Sequence, residues 1–219
     1  FGALRAGLIV VNANPLYTAR EMEGVFRDAE PRAIVVLANF ADKVEQVLPD
    51  TTIEHVIVTQ VGDLLPQPKR TIVNFVAAKV KKMVPHYDLP TAIAFREAIH
   101  PSASARFTSP ELTAEDVAFL QYTGGTTGGA KAAVLTHGNI LANQEQFMAQ
   151  VRNTLGEERQ SVIIAALPLY HVFALTVNLI GFFRFGAHNV LITNPRDIPA
   201  FVKELAKAQP DGIVLVSTL

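Results

Sequence analysis

Short apolar runs of strand length alternate along the chain with segments in which apolar residues recur at helical spacing. Residues 33–37, 55–59 and 161–166 are apolar and carry many β-branched side chains, which is typical of buried strands. Residues 22–29 and 198–205 instead place apolar side chains three and four positions apart, as one face of an amphipathic helix does. This alternation predicts an α/β fold with largely parallel sheets.

Several element ends carry local signals. Thr18, followed three residues later by Glu21, predicts a capping box at the start of a helix. Asp197 is the expected N-cap of the helix that precedes the last apolar run. Gly7 is expected to close a helix that occupies the first residues of the chain. Short strands are also predicted at residues 8–11, 190–193 and 213–216.

The alternating pattern weakens between about residues 62 and 113, where prolines are frequent. We therefore expect residues 1–112 to form part of a first α/β subdomain and residues 113–219 to begin a second one. The chain opens on Phe1 rather than Met and stops directly after a predicted strand. We expect it to be an internal piece of a longer protein.

Composition excludes several kinds of function. The net charge is −1 with acidic and basic residues interspersed, so no basic face for nucleic acid is expected. The chain has no cysteine, which excludes disulfides, thiolate metal sites and a cysteine nucleophile. No apolar run approaches the ~20 residues that a membrane-spanning helix needs.

The most informative stretch is a glycine-rich loop that follows a predicted buried strand. Glycines let the backbone approach a ligand closely, and successive N–H groups in such a turn bind anions. Threonine hydroxyls and a lysine add donors and a positive charge, which suits a polyphosphate. The predicted phosphate-binding residues are Tyr122, Thr123, Gly124, Gly125, Thr126, Thr127, Gly128, Gly129, Ala130 and Lys131.

The loop does not fit two better-known glycine motifs. The dinucleotide pattern G-x-G-x-x-G is missing from it, and the P-loop pattern fails because Ala130 and Ala132 stand where a glycine and a hydroxyl residue are needed. A P-loop also leads into a helix, whereas residues 132–136 predict a strand, with the next helix starting near Asn139. The alternative is an ordinary surface turn that binds no ligand, since Gly and Thr are common in turns.

Residues 122–131 resemble the signature loop of the adenylate-forming enzymes, which include acyl-CoA synthetases, peptide-synthetase adenylation domains and firefly luciferase. The likeness extends over essentially the whole chain and is greatest to bacterial long-chain fatty-acid–CoA ligases. It implies a large N-terminal domain with two doubly wound, largely parallel sheet layers and flanking helices. Ala132 departs from the family pattern, which nearly always has Gly there, at a cost of about 1 kcal/mol if the position needs a positive φ.

A second motif, Leu-Pro-Leu-Tyr-His, follows the predicted strand at residues 161–166. Ligands in open α/β sheets bind beyond the carboxyl ends of strands, which places His171 where chemistry is expected. A structural Tyr-His pair is the alternative. The family carries a similar motif, and the resemblance implies that His171 acts between the ATP site and the acyl site, with Phe173 and Leu175 on the acyl side.

The resemblance implies a ligase that uses ATP, Mg²⁺ and coenzyme A to convert a long-chain fatty acid into acyl-AMP and then acyl-CoA. Thr123 is the implied Mg²⁺ or phosphate ligand, and the loop as a whole offsets phosphate charge. Further parts of the family site, including a C-terminal domain with a catalytic lysine, have no counterpart in the chain. We therefore expect these 219 residues alone to be inactive.

Other interpretations stay open. The parent protein is either a fatty-acid ligase, an adenylate-forming enzyme for another carboxylic acid, or a non-catalytic nucleotide-binding module; a P-loop phosphotransferase is disfavoured by the strand after the loop. Residues 75–84, with their lysines, are interpreted as a solvated basic face, with contact at a membrane surface as the alternative. The expected location is the cytoplasm, with peripheral contact at the inner membrane and a homodimer left open.

Overall fold

The computed structural model describes residues 1–100, 107–123, 130–156 and 159–216. The strands in this part are β1 Val10–Val11, β2 Ala33–Leu37, β3 His55–Thr59, β4 Ile93–Ala94, β5 Val117–Thr123, β6 Lys131–Thr136, β7 Val162–Ala165, β8 His188–Leu191 and β9 Gly212–Val214. The α-helices are α1 Gly2–Arg5, α2 Ala19–Ala29, α3 Ala41–Val47, α4 Lys69–Phe75, α5 Phe95–Ala98, α6 His137–Leu155, α7 Val172–Ala174 and α8 Ile198–Ala208. Two of them, α4 and α7, continue as wider π-helical turns, at Val76–Val80 and Leu175–Phe182.

The chain divides into two compact units that are discontinuous in sequence. Unit one comprises residues 1–14, 110–121 and 132–219, and unit two comprises residues 15–109 and 122–131. The division into subdomains at residues 1–112 and 113–219, made from the sequence, stays a prediction.

Unit two contains a parallel sheet with the strand order β2-β3-β4. The register pairs Ala33 with His55 at one end of β2, and Ile57 of β3 with Ile93 of β4. The predicted strands at residues 33–37 and 55–59 are confirmed with these bounds. Each strand is followed by a helical segment, which is the arrangement that parallel pairing requires.

Helix α2 shows how local sequence fixes an element. The Thr18 hydroxyl accepts from the Glu21 N–H, and the Thr18 N–H donates to the Glu21 carboxylate at 2.8 Å. The predicted capping box is thereby confirmed. The hydrogen bond from the Thr18 N–H, followed by the one from its hydroxyl, lowers the pKa of Glu21. Behind this cap the predicted stripe buries Met22, Val25 and Phe26.

Unit one contains two sheets, with strand orders β1-β5-β6 and β8-β7-β9. β1 runs parallel to β5, pairing Val10 with Phe119, and β7 runs parallel to both of its neighbours. β7 is the centre of the second sheet, and its side chains Ile163 and Ile164 are fully buried. The buried strand predicted at residues 161–166 is confirmed with the shorter bounds of β7, and Ser161 and Ala166 on either side of it are also buried.

Four predicted elements have different bounds in the structure. The strands expected at residues 190–193 and 213–216 begin earlier, at His188 and Gly212, because their register is set by pairing with β7 rather than by their own apolar residues. The helix expected near Asn139 begins at His137, and Asn139 is its N3 residue. Strand β1 is confined to Val10–Val11.

Helix α1 ends as predicted at a glycine. Gly7 has a φ of +73°, and the N–H groups of Gly7 and Leu8 donate to the carbonyls of Leu4 and Ala3, which is a Schellman ending. Asp197 likewise caps α8 by accepting from the Ala200 N–H. Taken together, the sheets, crossovers and caps confirm the predicted α/β class.

Candidate functional site

The strand that leads into the glycine-rich loop is buried almost throughout. In β5, Ala118, Phe119, Gln121 and Tyr122 are buried, whereas Thr123 at its end is exposed. A strand buried in this way fixes the point from which the loop leaves the sheet. The loop residues Gly124, Gly125, Thr126, Thr127, Gly128 and Gly129 lie outside the described part of the chain.

The two flanks of the loop are described and lie close together. The Thr123 hydroxyl donates to the backbone carbonyl of Lys131 at 3.4 Å, which joins the ends of β5 and β6 at the base of the loop. Ala130 and the Lys131 side chain are exposed. The flanks therefore present one hydroxyl and one cation at the loop, both accessible to a ligand.

The strand after the lysine separates this loop from a P-loop. β6 begins at Lys131 and neighbours β5 in the sheet, as expected from the sequence. Ala132 lies inside this extended strand, and the non-glycine residues with positive φ in the described part are Glu30, Lys82 and Gln209. The strain that a positive φ would impose on Ala132 is therefore not present.

Tyr122 is held by an acidic side chain of α2. Its hydroxyl donates to Asp28 Oδ2 at 2.5 Å, across 94 residues of sequence. Burial, and then the hydrogen bond to the Asp28 carboxylate, raise the pKa of the Tyr122 phenol. The phenol therefore stays protonated and acts as a donor to Asp28 within unit two.

His171 begins the helical segment that follows β7. Its backbone is extended, and its Nδ1 accepts from the Phe173 N–H at 3.4 Å, which makes it the N-cap of α7. A neutral imidazole whose Nδ1 accepts carries its proton on Nε2. The exposed ring therefore presents an N–H donor away from the helix.

A buried glutamine that sequence reasoning missed joins the two motifs within unit one. The Gln121 amide nitrogen donates to the Tyr170 carbonyl at 3.2 Å, and its oxygen accepts from Asn12 at 3.4 Å. Gln121 thus connects the end of the loop strand to the residue before His171. The signal available in sequence was a polar residue inside an apolar strand. Lys131 and His171 themselves belong to different units.

Asn178 was also missed. It is fully buried in the π-helical segment after His171, and its backbone carbonyl accepts from the Asn189 amide at 3.0 Å. Among the described residues its own side-chain amide has no partner. An unpaired buried amide is costly, on the order of 1–3 kcal/mol, so packing alone does not explain an asparagine here.

The described flanks suit a phosphate more than a bare metal ion. No group of three or more His, Asp or Glu side chains that could hold a metal occurs in the described ranges. Mg²⁺ prefers phosphate and water oxygens with one or two protein ligands, so the exposed Thr123 hydroxyl fits it only beside a bound polyphosphate. Across the same residues, no helix is long and apolar enough to cross a membrane.

Comparison with known proteins decides the family. The family model described as AMP-binding enzyme matches residues 1–219. The chain belongs to the AMP-binding enzyme family. It is 53% identical over 219 residues to a long-chain-fatty-acid–CoA ligase of Escherichia coli O6:H1, covering 100% of this chain and 39% of that protein. It is also 53% identical over 220 residues to the same-named ligase of Haemophilus influenzae, with the same coverage.

Solved structures agree on the fold. The anthranilate CoA ligase AuaEII in complex with anthranoyl-AMP superposes with a TM-score of 0.73 at 20% identity, covering 97% of this chain and 36% of that one. The sequence-based resemblance to adenylate-forming enzymes is therefore confirmed at the level of family and fold. This AMP-binding chain spans about two fifths (39%) of the length of the ligases it matches.

Proposed function

We propose that the complete protein activates a long-chain fatty acid with ATP and then transfers the acyl group to coenzyme A. In the first step a carboxylate oxygen attacks the α-phosphorus of ATP, which forms acyl-AMP and releases pyrophosphate. In the second step the thiol of coenzyme A attacks the acyl carbonyl and AMP leaves. This chain supplies the phosphate loop and part of the acyl site.

The loop residues address the main electrostatic obstacle. A carboxylate and a polyphosphate repel each other, so donors must offset the phosphate charge before they meet. The exposed Lys131 ammonium, the Thr123 hydroxyl and the N–H groups of the loop glycines are the proposed donors. Mg²⁺, held by phosphate oxygens and Thr123, would supply further positive charge.

His171 is proposed to act on the reacting groups. Its Nε2–H points away from α7 because Nδ1 is engaged by the helix start. That donor can hydrogen-bond to an oxygen of the acid or of the phosphate. Phe173 and Leu175 are the proposed acyl-side residues; Phe173 is exposed, whereas Leu175 is buried in a cluster with Phe119.

One observation carries the proposal: a buried strand enters a glycine-rich loop whose exposed lysine starts a neighbouring strand instead of a helix. The long-chain substrate rests on 53% identity to ligases with that name in two bacteria. ATP and coenzyme A are cytoplasmic, and we place the reaction there. A homodimer has no supporting observation among the described residues and is not part of the proposal.

The test is pyrophosphate release by the complete protein, with ATP, Mg²⁺ and acids from acetate to palmitate. We expect release with the long acids, and a loss on the order of 100-fold in Lys131→Ala, because one charged donor to the reacting phosphates is removed. Lys207→Ala, on the exposed face of α8, is the matched control and should leave the rate unchanged.

The other outcomes separate the remaining alternatives. Release with only short or aryl acids would keep adenylation and reject the long-chain substrate. ATP binding without release for any acid would instead indicate a nucleotide-binding module. The isolated 219 residues are expected to release none, and sustained acyl-CoA formation by them would contradict the proposed division of the site.

A further inference from the structure

Two strands and the turn after β7 meet at one edge of unit one. β1 runs parallel to β5, and the two strands pair as far as Val11 and Leu120. Asn12 and Gln121 are the next residues toward the carboxyl ends of these strands. Tyr170 follows the carboxyl end of β7, which belongs to the second sheet of the unit. Because the Gln121 amide bonds to both neighbours, it joins the two sheets at the edge where ligands of parallel sheets bind.

The orientation of the Gln121 amide is fixed by its two partners. A backbone carbonyl can only accept, so the amide nitrogen must face the Tyr170 oxygen, which lies 3.2 Å away. The amide oxygen then faces Asn12, whose side-chain nitrogen donates to it at 3.4 Å. Gln121 is only 6% exposed, so these bonds lie in a site that is largely closed to solvent.

The segment that carries His171 is held together by bonds within itself. The His171 N–H donates to the Pro168 carbonyl at 3.0 Å, and the Leu175 N–H donates to the His171 carbonyl at 2.8 Å. The imidazole Nδ1 accepts from the Phe173 N–H. Residues 168–175 therefore behave as one body, and the direction of the His171 ring follows the orientation of the whole segment.

Two contacts hold this segment against β5. At one end, Gln121 donates to the Tyr170 carbonyl. At the other end, Leu175 lies in a buried cluster with Phe119. The apolar contact is not directional and tolerates a rotation of the segment. The hydrogen bond weakens steeply when its angle changes, so it is the contact that sets the orientation of the segment.

We infer that Gln121 is a positioning residue for His171, with Asn12 orienting its amide. Through the Tyr170 carbonyl, Gln121 sets the direction in which the His171 Nε2–H points. This inference rests on the proposed function, in which that N–H donates to an oxygen of the acid or of the phosphate. A misdirected donor stabilises the transition state less, while the binding of ATP in the ground state stays the same.

The test is a double-mutant cycle on pyrophosphate release by the complete protein. We expect Gln121→Met to lower kcat about tenfold, because a misplacement of about 1 Å can cost up to about 100-fold in rate. The KM for ATP should change less than about twofold. His171→Ala should lower kcat on the order of 100-fold. Adding Gln121→Met to His171→Ala should cost less than about a further twofold, since the residue through which Gln121 acts is gone.

Gln144→Met is the matched control for a loss of stability. Gln144 is also a buried glutamine of unit one, and its amide nitrogen donates to the Thr176 carbonyl at 3.0 Å. This variant should lower the melting temperature about as much as Gln121→Met does, with kcat kept within about twofold. Equal losses of kcat in the two variants would overturn the inference. So would a tenfold loss for Gln121→Met that persists beside His171→Ala, because Gln121 would then act by another route.

A milder variant keeps the inference testable if Gln121→Met does not fold. Asn12→Ala leaves the donor of Gln121 in place but removes the group that orients it. The kcat of this variant should fall about threefold when His171 is present and stay unchanged beside His171→Ala. An equal loss in both backgrounds would count against a role through His171.

Nuclear magnetic resonance of the histidine-labelled complete protein reports on the His171 ring without any reaction. The ring signals, assigned by their loss in His171→Ala, should shift in Gln121→Met and in Asn12→Ala and stay in place in Gln144→Met. Signals that do not move in the first two variants would refute the positioning role. If the unaltered protein releases no pyrophosphate with any acid, the proposed function fails, and the ring signals still decide whether Gln121 positions His171.

Discussion

At the scale of single residues, Gln121 is the side chain on which both motifs depend. It is buried and its amide satisfies partners on both sides, at Asn12 and Tyr170. Only a side chain that donates and accepts at once can do this, which explains a polar residue in the middle of a buried strand. This amide therefore helps to position the His171 motif relative to β5, together with the packing of Leu175 on Phe119.

Substitutions at Gln121 distinguish the loss of its hydrogen-bond donor from a change in side-chain size. Gln121→Met keeps the volume but leaves the Tyr170 carbonyl without its donor, so we expect the free energy of unfolding to fall by about 1–3 kcal/mol. Gln121→Glu should cost more at neutral pH, because it buries a carboxylate against that carbonyl. Urea denaturation of the complete protein measures both.

Lowering the pH distinguishes the stabilities of these two variants further. Once protonated, the carboxyl group introduced by Gln121→Glu donates again, so the deficit of this variant should shrink as the pH falls. Gln146→Glu, on the exposed face of α6, should stay within about 0.5 kcal/mol of the unaltered protein. Equal, pH-independent losses in Gln121→Met and Gln121→Glu would show that only packing matters at this position.

Tyr122 gives a prediction at alkaline pH. Its pKa is raised, first by burial and then by Asp28, so the folded state retains a proton that the unfolded state releases above about pH 10. Its contribution to stability is therefore present at neutral pH and is lost as the pH rises beyond 10. Tyr122→Phe should cost about 1 kcal/mol at pH 8, and this difference should narrow above pH 10. Parallel stability profiles for the two proteins would contradict the assignment.

At the scale of elements, the ends of helices were the most predictable features. Thr18 with Glu21, Asp197 and Gly7 act on backbone groups within a few residues of themselves, so their roles can be read from sequence. Strand ends were less predictable. β8 and β9 begin where β7 offers partners, at Val162 and Ile163, and pairing over this distance leaves no local signal.

The orientation of an amphipathic helix was also beyond the sequence. The apolar residues of α4 follow a helical period, which predicts a helix face but not the side on which the protein lies. The Asn74 contacts with Gly62 and Asp63 lie on the inner side of this helix, and Ile72 and Phe75 remain exposed. For α8 the same limit applies, because Ile198 and Val202 of its predicted stripe are exposed.

The N-cap of α6 is testable as an element. The Thr136 hydroxyl accepts from the Asn139 N–H at 3.1 Å, and the Asn139 side-chain oxygen accepts from the Thr136 N–H. Thr136→Ala should lower the free energy of unfolding by about 1 kcal/mol. Thr154→Ala, in the last turn of the same helix, removes a hydroxyl bonded to the Gln150 carbonyl and should have almost no effect. Thermal denaturation of both variants measures this difference in stability. Equal shifts in their melting temperatures would mean that the cap does not stabilise α6.

At the scale of the whole molecule, the chain order of the elements differs from their grouping. β1 pairs with β5 more than a hundred residues later, and residues 1–14 belong to unit one although residues 15–109 belong to unit two. Apolar patterns predicted the strands themselves, and the family resemblance predicted their fold. Neither the pairing of Val10 with Phe119 nor the Tyr122–Asp28 contact has a local cause, which is why they became visible only in the structure.

Packing between distant elements makes two glycines respond oppositely to the same change. A Cβ on Gly181 would lie 2.6 Å from Phe147 Cε1, so α6 and the π-helical segment approach each other closely there. The Phe147 ring also meets Phe182 edge-to-face at 5.1 Å, which limits its freedom to move away. A Cβ on Gly24, in α2, would meet nothing within 4 Å.

Gly181→Ala should therefore lower the free energy of unfolding by about 1–3 kcal/mol through overpacking of the Phe147 ring. Gly24→Ala should raise it by about 0.5–1 kcal/mol, because alanine loses less backbone entropy in a helix. Calorimetry of the complete protein, of both single variants and of the double variant measures the sign of each change in the free energy of unfolding and whether the two changes add. Since the two sites belong to different units, the effects should add. If Gly181→Ala raises the free energy of unfolding instead, the Phe147 ring can move aside and the close approach of α6 to Gly181 is not required.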